Sequence, residues 1–229
     1  MCGRFTLSTS QPVIADHFDL DETPELRARF NVAPGQGIAT VSVSGEERGS
    51  ELCIRRWGLV PSWAKDEKIG NRLINARAET AAEKPSFRSA LRRRRCLVPA
   101  DGFYEWAGPK GSKQPYFIGL EGRALFAFAG LWERWTDPEG GALETCTLLT
   151  TEATEHLSAL HGRMPVIVDP VDYGLWMDPD VVEPELVSPV IDRNLGGALD
   201  FYPISRHVND VRHDDPRCLE AIADQPGFF

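Results

Sequence analysis

Long apolar runs are missing from this chain. Nowhere do about 18 hydrophobic residues follow one another, so no membrane-spanning helix is predicted. A basic-then-apolar signal region is missing from the start as well, and both absences point to a cytoplasmic protein. Cysteine is scarce: five in 229 residues, scattered, odd in number and without CxxC spacing, which argues against a disulfide framework or a cysteine-based metal site. Internal repeats, low-complexity segments and linkers are absent too, so residues 1–229 read as a single domain. Neither a cofactor nor a metal is expected, and nothing calls for more than a monomer.

Excess charge is confined to one end. From Pro165 to Phe229 there are 13 Asp and Glu against 4 Lys and Arg, which accounts for the whole net charge of −9, whereas residues 1–164 hold 21 of each sign. Within that neutral part, Lys84, Arg88 and the run Arg92-Arg93-Arg94-Arg95 form a basic cluster with no acid before Asp101. Such a patch can meet a polyanion whatever the charge elsewhere. Taken alone, a solvated helix end is the plainer explanation.

The most informative stretch is the beginning, Met1-Cys2-Gly3-Arg4-Phe5. Cysteine is small enough for the initiator methionine to be trimmed, and the trimmed chain would carry a thiol and a free amine on adjacent carbons. Such a 1,2-aminothiol condenses with an aldehyde to an imine, on which the thiol closes a five-membered thiazolidine. An α-amine titrates near ~7.7 and a thiol near ~8.5, so both have nucleophilic fractions at neutral pH. The plainer reading makes Cys2 an ordinary residue of an early strand.

Further along, Ser10 or Thr9 is expected to cap a short helix through Val13, Ile14, His17 and Phe18. Leu52 to Trp57 reads as a strand that leads into Gly58-Leu59-Val60-Pro61-Ser62-Trp63, whose tryptophans suit either stacking on a base or burial in the core. In Asn75-Ala76-Arg77-Ala78-Glu79-Thr80 every second side chain is polar, placing Asn75, Arg77 and Glu79 on one face of an extended segment. Cys96 to Trp106 reads as strand, turn, strand. It leaves Glu105 between Tyr104 and Trp106, a setting expected to disfavour the ionised carboxylate and suit it to general acid–base work.

Gln114 to Leu120 and Ala124 to Trp132 form a predicted hairpin, and Glu144 to Thr151 another strand. Thr151 is expected to cap a helix over Glu152 to Leu160. His161 then stands at the helix end, either as a proton donor favoured by the dipole or as a cap for the last carbonyls. A strand Val166 to Val168, a helix around Val171 to Met177 and a strand near Phe201 to Ser205 complete the prediction. His207 and His213 receive no role.

Five motifs, in this order, resemble the SRAP (SOS-response-associated peptidase, or abasic-site processing) family: Cys2 to Phe5, Trp57 to Trp63, Asn75 to Thr80, Pro99 to Trp106 and His161-Gly162-Arg163-Met164-Pro165. They span about residues 2–168, with the acidic part 169–229 completing the domain. The resemblance implies an α+β fold on a mostly antiparallel, bifurcated sheet forming an incomplete barrel, with helices outside. It also implies a DNA-damage enzyme that binds single-stranded DNA at an abasic site and crosslinks to its aldehyde through Cys2, with lyase and autoproteolytic side activities. In that reading Asn75 positions the nucleophiles, Glu105 and His161 handle protons, Arg4, Arg77 and Arg163 hold phosphates, and Trp63 wedges between bases. Two other readings stand beside it, a cysteine peptidase using Cys2 and His161 and a DNA-binding module without chemistry.

Overall fold

Short β-branched and aromatic runs broken by glycine and proline favour strands over long helices, and strands dominate. The computed structural model describes residues 2–44, 49–137 and 139–222. Its strands are β1 (Phe5–Leu7), β2 (Arg29–Val32), β3 (Gly37–Ser44), β4 (Gly49–Trp57), β5 (Asn75–Arg77), β6 (Arg95–Ala100), β7 (Gly102–Ala107), β8 (Gln114–Gly119), β9 (Phe126–Thr136), β10 (Ala142–Glu152), β11 (Arg163–Pro165), β12 (Ile167–Val168) and β13 (Asp200–Pro203).

They form two sheets. One is five-stranded in the order β13-β8-β7-β1-β2, antiparallel throughout. In the other, β10-β4-β3-β6-β9 follow one another and β9 pairs back onto β10, so these five strands close a barrel-like ring. Its one parallel seam is short: Thr145 and Cys146 of β10 against Arg56 and Trp57 of β4. Beyond that seam β10 changes partners, taking β5 on one side and β11 on the other. The barrel-like α+β architecture implied by the resemblance is therefore present, and the fork in β10 brings the Asn75 and His161 motifs to one place.

Alternation along the strands sorts side chains inward and outward. Phe5, Trp57, Val98, Phe103, Phe128 and Leu148 pack in one buried cluster, and Leu97, Leu131, Leu149, Val166 and Trp176 in another. Gly58 sits at φ +129°, and a Cβ there would lie 2.7 Å from the carbonyl oxygen of Gly70. Only glycine lets the Trp57–Trp63 loop press onto the 3-10 helix Glu67–Arg72 in this way.

Several predicted elements shift. β10 runs on to Glu152, and the helix that follows spans only Glu155–Ser158, capped by Thr154 rather than Thr151. Pairing with β11 holds Thr151 and Glu152 in the sheet. The Asn75 segment is extended only to Arg77; Ala78–Ala81 is helical, so Glu79 leaves the strand alternation. The arginine run straddles a helix end and the start of β6: Arg92 and Arg93 are exposed, Arg94 pairs with Glu133, and Arg95 is buried, hydrogen-bonded to carbonyls including Trp176 and Leu91. Four consecutive charges thus do not make one patch. Pro184–Arg193 forms a helix that the sequence pattern conceals, because Pro189 lies inside it. Among the described residues no helix is long and apolar enough to cross a membrane.

Candidate active site

Cys2 lies just ahead of β1, the strand between β7 and β2. The pairing of β1 with β7 extends past Phe5, since the Tyr104 N–H donates to the Arg4 carbonyl at 3.0 Å. Asp101 locks the other end of β1: its carboxylate accepts from the Thr6 hydroxyl (2.5 Å) and from the backbone N–H groups of Ser8 (2.6 Å) and Thr9 (2.8 Å). Held from both ends, Cys2 is fully buried, and its thiol is 3.7 Å from the Arg4 carbonyl. Burial pushes the thiol pKa far up, and the nearby Glu105 charge adds to the shift. Met1 lies outside the described residues.

Asn75 reaches Cys2 directly, its Nδ2 donating to the Cys2 carbonyl at 2.7 Å. Its place is set by β10, opposite Leu148, and by Trp57, whose indole N–H donates to the Ile74 carbonyl at 2.8 Å. Asn75 Oδ1 is buried and has no hydrogen-bond partner among the described residues. Glu105 is 6 % exposed and points to the face of β7 that carries Phe103. Its sequence neighbours do not sandwich it, contrary to the reading from sequence. Tyr104 and Trp106 project to the opposite face, where their rings lie 6.4 Å apart. His161 follows a single helical turn, too short for a large dipole. The Arg163 N–H donates to His161 Nδ1 at 2.9 Å, and the Arg163 carbonyl lies 3.1 Å from the same nitrogen. That nitrogen therefore has a partner whether it accepts or donates.

A family model described as SOS response associated peptidase (SRAP) matches residues 1–211. This chain belongs to the SRAP family. It is 42% identical over 226 residues to abasic site processing protein YoqW of Bacillus subtilis, covering 96% of this chain and all of that protein. Abasic site processing protein HMCES of Gallus gallus is 37% identical over 195 residues, covering 73% of this chain and 56% of that longer protein. A crystal structure of a Bacteroides thetaiotaomicron protein superposes with a TM-score of 0.84 at 25% identity, over 97% of this chain and all of the other.

In this SRAP chain the three motif arginines stand in different settings. Arg77 is exposed and makes no ion pair among the described residues. Arg4 is half-buried, donates to Asn31 Oδ1 (2.7 Å) and the Val208 carbonyl (3.0 Å), and borders an open groove of about 580 Å³ shared with Trp106, Lys113 and Arg206. Burial lowers its pKa without removing its charge. Arg163 is held bidentate by Glu79 at 2.7 and 2.9 Å, and those hydrogen bonds hold the Glu79 carboxyl below the usual range. The tryptophans divide: Trp57 is buried, while Trp63 is 58% exposed with its N–H 3.4 Å from the Pro85 carbonyl. Sequence reasoning missed Asp101, Asn31 and Glu79. The reciprocal pairing of Glu79 with Arg163 had no signal in the spacing, whereas Asp101 stood inside a motif already singled out.

Proposed function

We propose that this chain recognises abasic sites in single-stranded DNA and links itself to them through Cys2 after removal of Met1. The relatives named abasic site processing proteins support the substrate class. The observation that carries the chemistry is the contact of Asn75 with Cys2, with the Glu105 charge close enough to act on the thiol.

The amine of Cys2 adds to C1′ of the ring-opened sugar, and the adduct loses water to give an imine. The thiol then adds to the imine carbon while its proton passes to nitrogen, so the product is protein plus DNA less one water. Asn75 Oδ1, a buried acceptor with capacity left, would take an N–H of the amine. Glu105 would supply the proton that opens the sugar ring and then stabilise the iminium cation, and His161 would relay protons through a ring whose Nδ1 has partners in both states. Imine formation also acidifies C2′. Loss of that proton with departure of the 3′ phosphate would make a lyase side activity.

Arg77, Arg4 and Arg163 would meet phosphates, and Trp63 would stack against bases, giving little sequence preference. Such a protein would act in the cytoplasm, on the nucleoid, during the response to DNA damage, as a monomer and without a cofactor.

The family description keeps a second reading in view, a cysteine peptidase using Cys2 and His161. Burial works against it. A peptidase needs a thiolate as its first nucleophile, and burial here disfavours that form. Amine-first chemistry has no such requirement. Incubation with single-stranded oligonucleotides, with and without one abasic site, followed by a denaturing gel, tests the proposal. A heat- and detergent-resistant band confined to the abasic oligonucleotide is expected. Absence of that band under conditions where the protein is Met-less would overturn it, and binding without a band would favour a non-catalytic module.

A further inference from the structure

The acidic end of the chain folds two 3-10 turns, Arg206–Asn209 and Pro216–Leu219, onto the outer side of the five-stranded sheet near β2 and β8. They bring together three side chains that the Cys2 chemistry does not use. One ligating atom each from His207, Asp215 and Cys218 lies within 4.8 Å of the other two. His207 Nε2 is 3.1 Å from Asp215 Oδ2. On a tetrahedral zinc ion, with bonds of about 2.0–2.3 Å, such donors stand about 3.3–3.6 Å apart. Closure onto an ion therefore asks for movements of about 1 Å at most.

The surroundings already orient the donors. The His207 ring stacks on His213, with centroids 3.9 Å apart and planes within 5°, and His213 Nδ1 is 2.8 Å from the His207 carbonyl. Asp215 Oδ1 accepts the Arg217 N–H at 3.0 Å, which turns the other oxygen toward His207. Cys218 is fully buried beside Tyr104, Phe117, Ile204 and Val208, and its sulfur lies 3.4 Å from the His213 carbonyl. The Arg217 N–H on Asp215 is a fixed second partner of the kind metal ligands need, whereas the Cys218 contact with the carbonyl gives way when the thiol ionises. The competing cation is Arg217, whose side chain is 64% exposed and can swing into solvent.

We propose that His207, Asp215 and Cys218 bind a zinc ion, with water as fourth ligand. Thiolate, imidazole and carboxylate together suit zinc and not the all-oxygen preferences of magnesium or calcium. On binding, the metal sheds water and the Cys218 thiol releases its proton to solvent. The consequence is structural: the same segment offers the Val208, Asp210 and His213 carbonyls that hold Asn31, and through Asn31 and Val208 it holds Arg4. Neither motif spacing nor the Cys2 chemistry calls for this site.

Cobalt(II) titration of the full chain tests it, in a Cys2→Ala background because a free N-terminal aminothiol is itself a chelator. A near-ultraviolet thiolate-to-cobalt charge-transfer band saturating at one equivalent is expected, absent after a further Cys218→Ser or His207→Gln change. Zinc should raise Tm by about 5 °C in the background protein only. Far-ultraviolet circular dichroism confirms that each variant is folded. No band at saturating cobalt, or a band that survives Cys218→Ser, would overturn the proposal.

Discussion

Cys2 and Cys96 are both fully buried, and burial pushes both thiols up, Cys96 to about 12 and Cys2 further still. Around Cys96 the barrel is closed and the polar groups beside it are paired. Its carbonyl accepts the Trp176 N–H at 2.8 Å, and the neighbouring Arg55 guanidinium donates to Thr40, Ser42 and Glu144 and lies over the Trp132 ring. Around Cys2 an amide holds the backbone while keeping its oxygen in reserve, and a carboxylate is near enough to act on the sulfur. Burial alone makes an inert thiol. What sets Cys2 apart is an adjacent backbone nitrogen that trimming would free, together with an amide neighbour, Asn75, whose oxygen has hydrogen-bonding capacity left.

The contrast can be broken first at Asn75 and Glu105. Asn75→Ala and Glu105→Gln should slow adduct formation by about 10²–10³-fold in single-turnover assays, with much smaller effects on DNA binding. A matching loss of affinity would reduce both residues to scaffold. Next in size, Arg77→Ala should weaken binding to single-stranded DNA about tenfold and lower the salt slope by about 0.7. Arg163→Ala should weaken that binding as well and should also cost stability, because it removes the bidentate partner of Glu79 and empties a hydrogen-bonding site at Thr150, read as a drop in Tm.

Smallest is Cys96→Ala: about 1 kcal/mol of stability lost in urea unfolding, with the adduct rate unchanged. The same comparison has a pH side. Folded thiols with raised pKa values stay protonated where the unfolded chain ionises, so their contribution is complete below the ordinary thiol value of 9.0 and is lost as pH climbs above it. Urea midpoints should therefore fall above pH 9.0, and fall less steeply in Cys96→Ala.

Much of this was legible in the sequence because the signals are local. Strand-like runs mark β4, β8, β9 and β10, the motifs mark the loops, and residue chemistry singles out Cys2, Asn75, Glu105 and His161 as the candidates on which the proposal rests. The misses arise where long-range contacts override local ones. Pairing with β11 keeps Thr151 and Glu152 in the sheet against a good capping signal. Strand alternation separates Glu105 from the aromatics beside it in sequence. Residues 84 distant join Arg163 to Glu79, and residues 177 or more distant tie Asn31 to the acidic end. The negative third of the chain, which read as a mere completion of the domain, supplies the carbonyls that position Asn31 and Arg4.

The central claim, that reactivity belongs to the amine and thiol of one terminal cysteine, is tested most directly by intact-mass spectrometry. The protein is incubated with a single-stranded oligonucleotide carrying one abasic site, beside Cys2→Ala and a variant with one residue inserted ahead of Cys2. The account predicts a species equal to Met-less protein plus oligonucleotide less one water, stable without reductant, and missing from both variants. An adduct of that mass on the inserted variant, or on Cys2→Ala, would contradict it.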